Sequence, residues 1–396
     1  MAKKKKEMGE ETDFDFLADE IGGSVLSKTD SVKNWIDTGN LSLNYLCSGR
    51  FVGGGIPGGK MIEIFGNSSS CKTLFALNIL QGVQKAGGIA VFIDAEGTLN
   101  KEFAEKAAHV DTSKVIVIPP DKVPTLEKCF KVMHTIIKKT VAKYGTSKPI
   151  VIIYDSIAAS PSEREFANID VEAGMSKEKI KALGGGTRKP GERAAICSEE
   201  LRTLNPLLEK SNCAVVFINQ LRSKIGVMFG NPNTTGGGGR SLEYYTSLRL
   251  ETRASKRLKD KLDNVIGMNV SVANQKNKVF RPFITAKDMH LFFDKGINPF
   301  GGLLDLLIKQ ARIVSCGAGN YKVQEPWANG EEIKFKSSLE RNDVPAEALF
   351  ACPALVDATC KEDIQSYLDH FGQALDAVSN DIGSEEVLTD GDSMDE

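Results

Sequence analysis

Hydrophobic residues along the chain fall into short continuous runs that alternate with stretches of helical periodicity. The runs lie at residues 60–65, 88–94, 115–118, 149–154 and 214–218, and most are rich in β-branched residues. Between them, residues 74–83, 101–109 and 125–144 carry apolar side chains three and four positions apart. Continuous apolar runs are typical of strands buried on both faces. Their alternation with helices predicts an α/β fold with a mostly parallel central sheet covered by helices.

Polar residues follow several of these runs, at the point where each predicted strand ends. Glu96, Asp155 and Gln220 take this position, and a loop of small residues follows the run at 60–65. In such sheets, ligands bind outside the carboxyl ends of the strands. The sequence therefore predicts one binding site built from these side chains and that loop.

The pattern also divides the chain into four predicted parts. Residues 1–38 are a tail and one or two short amphipathic helices, either a docking arm or helices lying on their own domain. Residues 39–300 form the core, in which 242–252, 266–273 and 283–293 alternate like strands. Residues 301–375 form a small C-terminal α+β domain, with helices at 303–311 and 361–371. Residues 376–396 carry acidic side chains without Lys or Arg, which predicts a disordered acidic tail.

Composition excludes several classes of protein. The 396 residues are 41% hydrophobic and 26% charged with a formal net charge of −2, so any surface for nucleic acid must be local. No apolar run approaches the roughly 20 residues that span a membrane. The basic N-terminus lacks the apolar segment of an export signal. The eight cysteines lack metal-ligand spacing, so we expect reduced thiols in a cytoplasmic protein.

The small-residue loop is a candidate phosphate-binding loop between a strand and a helix. Its residues are Gly66, Asn67, Ser68, Ser69, Ser70, Cys71, Lys72 and Thr73. Backbone N–H groups would face the phosphates of ATP, and the lysine would reach the outer ones. The usual second glycine of this motif is replaced by Cys71.

The residues at the strand ends suit ATP hydrolysis, which requires a charge clamp and a positioned water. Thr73 and Asp155 would hold Mg²⁺, and Glu96 would polarise the attacking water. Gln220 would sense the γ-phosphate. Alternatively, Asp155 could cap a helix and Glu96 could be a solvated loop acid.

Two polar segments, 163–193 and 223–241, interrupt the α/β pattern and are candidates for contacting DNA. They combine basic, apolar and glycine residues, as binders of single-stranded nucleic acid do. The alternative for the second, glycine-rich segment is a mobile lid. The candidate DNA-binding residues are Arg188, Arg193, Arg202, Arg222, Lys224, Ile225, Gly226, Val227, Met228, Phe229, Gly230, Gly236, Gly237 and Arg240.

Five stretches together resemble the bacterial RecA family of strand-exchange recombinases. The sequence VFINQLRSKIGVMFGNPNTT at 216–235 resembles the segment with the second DNA-binding loop. MIEIFGNSSSCKT, VFIDAEG and VIIYDSIA resemble the P-loop, the catalytic-glutamate strand and the Walker B strand, in the same order. QKNKVFRPF at 275–283 resembles a Lys-Asn-Lys segment. Matching runs cover about residues 39–304, while Cys71 and the acidic tail also resemble phage recombinases of the UvsX type.

The resemblance implies a RecA-like P-loop core and a DNA-dependent ATPase that pairs homologous DNA and exchanges strands in recombination and repair. Such proteins form helical filaments on single-stranded DNA, act on double-stranded DNA, and place ATP between subunits. It implies that Lys276 and Lys278 reach the neighbour's ATP, that Phe293 and Asp121 lie near adenine, and that Ile225 wedges between bases. The N-terminal arm would pack on the next subunit, and the tail would compete with DNA. Single-strand-binding and loader proteins are further expected partners.

Two other functions stay open from the sequence. A RecA-fold hexameric helicase would share the P-loop, the glutamate and the Walker B strand. An ATP-gated DNA-binding mediator would hydrolyse ATP weakly because of Cys71, since a non-glycine residue at positive φ costs about 1–2 kcal/mol.

Overall fold

The structure is a computed structural model that describes residues 13–28, 32–172, 191–223, 233–235, 239–337, 342–371 and 384–387. The helices in these ranges are α1 (Asp13–Glu20), α2 (Leu41–Ser48), α3 (Lys72–Lys85), α4 (Lys101–Ala107), α5 (Leu126–Tyr144), α6 (Glu163–Glu172), α7 (Glu192–Glu209), α8 (Gly239–Tyr245), α9 (Leu303–Lys309), α10 (Ala346–Ala351) and α11 (Lys361–Phe371). The strands are β1 (Trp35–Ile36), β2 (Ile56–Pro57), β3 (Met61–Gly66), β4 (Ile89–Asp94), β5 (Val115–Ile118), β6 (Ile150–Asp155), β7 (Cys213–Ser223), β8 (Asn233–Thr235), β9 (Leu248–Lys259), β10 (Val265–Asn277), β11 (Thr285–Phe292), β12 (Gly296–Ile297), β13 (Ile313–Gly317), β14 (Asn320–Val323), β15 (Lys334–Lys336) and β16 (Ser384–Val387).

One large sheet organises the fold, in the order β12-β11-β10-β9-β3-β7-β6-β4-β5. The pairs from β9 through β3, β7, β6 and β4 to β5 are parallel. The strands from β9 to β12 pair antiparallel. The prediction of an α/β fold with a mostly parallel sheet is therefore confirmed.

The two faces of the sheet pack against different helices, because successive strand residues point to opposite sides. On β3, Ile62 and Ile64 join the core cluster that contains α2 and α3. Met61 joins the cluster formed with α5 and α7. Both faces being covered explains why the strands read as continuous apolar runs rather than as alternating ones.

Several predicted boundaries differ from the structure by a few residues, and two segments differ in kind. The predicted strand at 242–252 is wrong over residues 242–247, because 242–245 form the end of α8 and β9 begins only at Leu248. There Leu242 accepts a backbone hydrogen bond from Thr246, at the i,i+4 spacing of a helix turn. Parts of the predicted glycine-rich loop at 223–241 form regular structure, since Asn233–Thr235 pairs with the end of β7 and Gly239 begins α8.

The region after residue 300 packs directly on the sheet. Its buried side chains, such as Leu307 and Leu349, belong to the same core cluster as α2 and α3. The backbone N–H of Val52 donates to the carbonyl of Val356 at 3.1 Å. In the predicted disordered tail, Ser384–Val387 instead forms a strand paired with β9, so the prediction of disorder is wrong for these four residues. In the register of that pairing, Glu386 lies opposite Arg257.

Within the described residues, no helix is both long and apolar enough to cross a bilayer. The eight cysteines are all free thiols.

Candidate functional site

Strand register brings the predicted site residues to one edge of the sheet. Gly66, the last residue of β3, lies opposite Gln220 of β7 and Thr252 of β9. Beyond β7 in the sheet, Asp155 is the last residue of β6 and lies opposite Asp94, the last residue of β4. The small-residue loop therefore shares the carboxyl edge with Gln220, Asp155 and the residues after Asp94, as the sequence predicted.

The loop between β3 and α3 has a backbone that suits an anion. A Cβ added at Gly66 would lie 2.3 Å from the carbonyl oxygen of Thr252, so a side chain has no room there. Ser69 and Cys71 both take positive φ, at 56° and 64°. Cys71 is the N-cap residue of α3 and makes no side-chain capping hydrogen bond. The first-turn N–H groups of α3 thus lack a side-chain cap, which is the arrangement that binds phosphate in other proteins.

Cys71 occupies the position of the missing glycine by turning its side chain away from the loop. Its Sγ lies 2.9 Å from the Sδ of Met268 on β10. Burial raises the pKa of the Cys71 thiol to about 12, against the opposing charge of Lys72. The group is therefore a neutral packing side chain at neutral pH and not a nucleophile.

Lys72 is almost fully buried beneath this loop. Its Nζ donates to the carbonyl of Asn67 at 2.5 Å and to Oγ of Ser70 at 3.5 Å. Burial lowers the pKa of Lys72, and the negative charge of Asp155 is the largest effect that opposes the shift. Phosphate oxygens could replace these loop oxygens as acceptors and would supply the negative charge that the buried ammonium lacks.

Thr73 and Asp155 form the pair that would hold a magnesium ion. The Thr73 hydroxyl donates to Oδ2 of Asp155 at 2.7 Å. Burial raises the pKa of Asp155 from 3.8 to about 6, and the neighbouring Glu96 adds to the rise. A buried carboxylate beside a hydroxyl is a suitable oxygen donor set for a hard divalent cation. When bound, Mg²⁺ would neutralise charge on the phosphates.

Glu96 lies beside this pair, and its side chain is held by one short hydrogen bond. The Ser156 hydroxyl donates to Oε1 of Glu96 at 2.5 Å. The backbone N–H groups of Ala95 and Glu96 donate to the carbonyl of Asp155. Glu96 and Asp155 are thus fixed relative to each other by the backbone of β6.

Asp94 supports this arrangement, although sequence reasoning gave it no role. Its buried carboxylate accepts backbone N–H groups of Gly97, Thr98 and Leu99 at 2.8–3.2 Å. These bonds shape the turn that carries Glu96. An aspartate ending a buried strand and followed by a glycine was the signal that could have identified it.

The structure does not bring Lys276 and Lys278 to the P-loop of their own subunit. Lys276 lies opposite Arg249, which lies opposite Glu63, three residues before Gly66. At the rise of a strand, this is about 10 Å from the loop edge. Both lysines donate instead to backbone carbonyls at the end of α8, Lys278 at 3.2 Å. Burial, with the nearby Lys278 and Arg249, lowers the pKa of Lys276 to about 8.

The predicted adenine contacts, Asp121 and Phe293, lie on opposite flanks of the sheet. Asp121 follows the edge strand β5 and lies 3.2 Å from Lys122. Phe293 follows β11 and is 41% exposed. Seven strand steps separate β5 from β11, which is roughly 30 Å. The two could therefore contact the same adenine only from different subunits.

Part of the predicted DNA-binding set lies in the described residues. Arg193 donates to the carbonyls of Ile157 and Ala158, at 2.7 and 3.2 Å, which ties the base of the first segment to the turn after Asp155. Arg202 on α7 and Arg240 on α8 are exposed. The other candidates lie outside the described residues. They are Arg188, Lys224, Ile225, Gly226, Val227, Met228, Phe229, Gly230, Gly236, Gly237 and the side chain of Arg222.

The geometry of this site identifies the class of protein. A loop of small residues with Lys72 and Thr73 between β3 and α3, facing carboxylates at the ends of two neighbouring strands, is the site of a P-loop ATPase.

Comparison with known proteins then places the chain within that class. Residues 20–298 match the family model of the RecA N-terminal domain. RecA of Treponema denticola is 35% identical over 85% of this chain and 76% of its own length. RecA of Mycoplasma pneumoniae is 35% identical over 84% and 87%, and RecA of Mycoplasma mycoides is 38% identical over 73% and 78%. The chain belongs to the RecA family.

As a member of this family, the chain is a DNA-dependent ATPase that catalyses homologous pairing and strand exchange in recombination and repair. The expectation drawn from the five sequence stretches is thereby confirmed at the level of family, fold and function. The closer likeness to phage recombinases stays a prediction.

Proposed function

We propose that each subunit binds Mg·ATP at the loop Gly66–Thr73 and hydrolyses it within a filament on single-stranded DNA. The observation that carries this proposal is the hydrogen-bonded set of Thr73, Asp155, Ser156 and Glu96 beside the buried Lys72. It supplies a cation site, a phosphate-facing ammonium and a general base at one edge.

The roles follow from what each side chain can do. Lys72 exchanges its loop acceptors for phosphate oxygens and holds them by charge. Glu96, oriented by Ser156, accepts a proton from the attacking water or polarises it. Gln220, placed beside Gly66 by the register of β3 and β7, senses the terminal phosphate. The substrate's γ-phosphoryl group is thereby transferred to water, with ADP as the leaving group.

The site is completed by the next subunit. Because Lys276 lies about 10 Å from its own loop edge along the strands and on a strand two positions away from β3, it and the neighbouring Lys278 are better placed to reach a neighbour's phosphates. When the two ammonium groups move from backbone carbonyls to phosphates, their hydrogen bonds become stronger because the acceptors are then charged. ATP then holds adjacent subunits together.

The arm at the N-terminus would dock on a candidate surface of the neighbouring subunit's core. Exposed apolar side chains on and after α1 include Phe14, Leu17 and Ile21, each at least 57% exposed. A cavity of about 420 Å³ opens between α3, α4, β4 and β5. Its apolar lining is Leu77, Leu80, Phe92, Leu99, Ala104, Val110, Val115 and Val117. In the described part of the chain β5 pairs only with β4, and Ile116 and Val117 are exposed, which supports docking of the neighbour's arm at this edge.

Variants on both sides of this contact test the arrangement. Phe14→Ser with Leu17→Ser on the arm, or Val117→Lys on the cavity, should shorten filaments on single-stranded DNA in electron micrographs. Glu20→Ser, on the same helix, is the matched control and should leave filament length unchanged. Filaments of normal length from both disrupted variants would refute this contact.

ATP hydrolysis with and without single-stranded DNA tests the site itself. Lys72→Ala should abolish DNA-stimulated hydrolysis, while Glu96→Gln should bind ATP and form filaments without turning over. Unchanged hydrolysis in Lys72→Ala would overturn the assignment of the loop. The domain limits at residues 38, 300 and 375, the partner proteins and the cytoplasmic location stay predictions.

A weakly hydrolysing mediator is a second candidate, because Cys71 holds φ at 64° where glycine is usual. The full set of hydrolytic side chains argues against it. Turnover comparable with that of the Cys71→Gly variant would exclude it. The ring-forming helicase receives no support, since the chain belongs to the RecA family.

A further inference from the structure

A charged side chain is fully buried in the middle of the central strand β3, between Ile62 and Ile64. Glu63 Oε2 accepts from Nε of Arg249 at 2.5 Å, and Oε1 accepts from Nδ2 of Asn219 at 2.9 Å. Replacing a buried ion pair by apolar residues of similar size is often neutral or stabilising. Stability alone therefore gives little reason for a glutamate at this position.

One oxygen of Glu63 leads to the P-loop edge. The Asn219 side chain that donates to Glu63 also accepts the backbone N–H of Gln220 at 3.0 Å. Gln220 lies opposite Gly66, where the phosphate loop begins. Glu63 thus fixes the rotamer of the residue that holds the proposed phosphate sensor.

The other oxygen leads to the lysines that face a neighbour. Arg249 reaches from Glu63 to Oε1 of Glu243 on α8 at 3.2 Å, and its guanidinium lies over the ring of Phe65. The backbone carbonyl of Glu243 accepts from Nζ of Lys276. Lys276 also lies opposite Arg249 in the register of β9 and β10. Through Arg249, Glu63 therefore helps to hold α8 in place, together with Lys276, which caps this helix.

The same helix adjoins the second candidate DNA segment. Gly239 begins α8 directly after residues 224–238, which carry most of the predicted DNA contacts. A displacement of α8 by DNA would move Glu243 and so pull on Arg249. Through these hydrogen bonds, Glu63 is connected to the residues proposed to contact the subunit's own nucleotide and the neighbour's nucleotide, and to the helix that follows the DNA segment.

We infer that Glu63 is a positioning residue that couples the proposed γ-phosphate sensor at Gln220 to α8 and Lys276. This inference rests on the proposed function, in which Gln220 and Lys276 contact two different nucleotides. DNA binding on α8 is then transmitted through Arg249, Glu63 and Asn219 to the subunit's own active site. The physical element is a pair of charged hydrogen bonds on one carboxylate, each of which constrains the other.

Glu63→Gln tests the coupling, because it keeps the shape and removes the charge. We expect affinity of the DNA-free subunit for a fluorescent ATP analogue to change by no more than about two-fold. DNA stimulation of kcat should fall by about ten-fold, within the usual range of coupling between sites, and the Hill coefficient for ATP should fall with it. Glu251→Gln is the matched control. Glu251 is also buried on this sheet and bonded to an arginine, Arg253, but it does not bond to Asn219 or α8 among the described contacts.

A paired variant separates positioning from stability. Glu63→Met with Arg249→Met replaces the ion pair by apolar side chains of similar length and should fold with a thermal midpoint near that of the native protein. We expect it to remain poorly stimulated by DNA. Recovery of both stability and DNA stimulation in this variant would show a purely structural pair and overturn the inference.

A double-mutant cycle gives an independent answer. If Glu63 and Lys276 act through one connection, the losses of DNA stimulation in Glu63→Gln and Lys276→Ala should not multiply in the double variant. Multiplying losses would overturn the inference. Failure of the proposed function would look different, because the native protein itself would then show no DNA-stimulated turnover.

Discussion

Replacing Asp155 by asparagine should stabilise the nucleotide-free protein while abolishing hydrolysis. The Asp155 carboxyl is 4% exposed, and burial raises its pKa from 3.8 to about 6. A rise of this size corresponds to about 3 kcal/mol of preference for the protonated form in the folded state. The asparagine side chain would keep an oxygen that accepts from Thr73 but would carry no charge. The variant should therefore gain up to about 3 kcal/mol in the free energy of unfolding at pH 8.

The gain in stability from Asp155→Asn should depend on pH. Because the folded protein binds this proton more tightly than the unfolded chain does, the contribution of Asp155 to stability falls as pH rises from about 4 to about 6. The advantage of Asp155→Asn should be complete at pH 8 and shrink to about half at pH 5. Urea denaturation of both proteins at the two pH values measures the difference. With Mg·ADP present the order should reverse, since only the native carboxylate can hold the ion and gain stability from ligand binding.

Asp94→Asn is the matched control, because Asp94 lies opposite Asp155 in the sheet. Its carboxylate accepts three backbone N–H groups, so the substitution should destabilise the protein by about 1–3 kcal/mol. An Asp155→Asn protein no more stable than the native one at pH 8, or equally stabilised at pH 5 and pH 8, would refute the reasoning.

Three further predictions concern the loop and the interface. Gly66→Ala should weaken binding of a fluorescent nucleotide and lower stability by about 1–3 kcal/mol in urea denaturation, because the new methyl group would lie 2.3 Å from the carbonyl of Thr252. Normal affinity and stability would contradict this packing. Cys71→Val should lose nucleotide binding, since a β-branched residue resists φ of 64°, whereas Cys71→Gly should retain it in the same titration. Equal affinities would contradict the strain argument. Lys276→Ala should reduce DNA-stimulated ATPase severely but leave nucleotide binding by the isolated subunit intact; equal loss in both would argue against an interface role.

The sheet and its active edge were predictable because they depend on local signals. Continuous apolar runs identified the parallel strands, and a polar residue at each strand end identified the site. The parallel register then brought Gly66 and Gln220 together without further information. Thr125 and Asn100 cap α5 and α4 near the predicted boundaries, as their side chains favour.

Other features depended on contacts between residues far apart in sequence. The strand Ser384–Val387 forms through pairing with β9, more than 120 positions away, and composition alone indicates only disorder for such a segment. Likewise, Glu63 in an apolar run gives no sign that Arg249 and Asn219 lie beside it. The distance between the lysine pair and its own P-loop also follows only from the register of three strands.

Mixing two inactive variants tests the shared site most directly. Glu96→Gln disables a subunit's own hydrolytic side, and Lys276→Ala with Lys278→Ala disables the side it offers to its neighbour. In filaments from equal amounts of both, about a quarter of the head-to-tail interfaces would join an intact active edge to an intact lysine pair. We expect DNA-stimulated hydrolysis of the mixture to recover to about that fraction of the native rate. A mixture no more active than the two variants measured separately would contradict a nucleotide site shared between subunits.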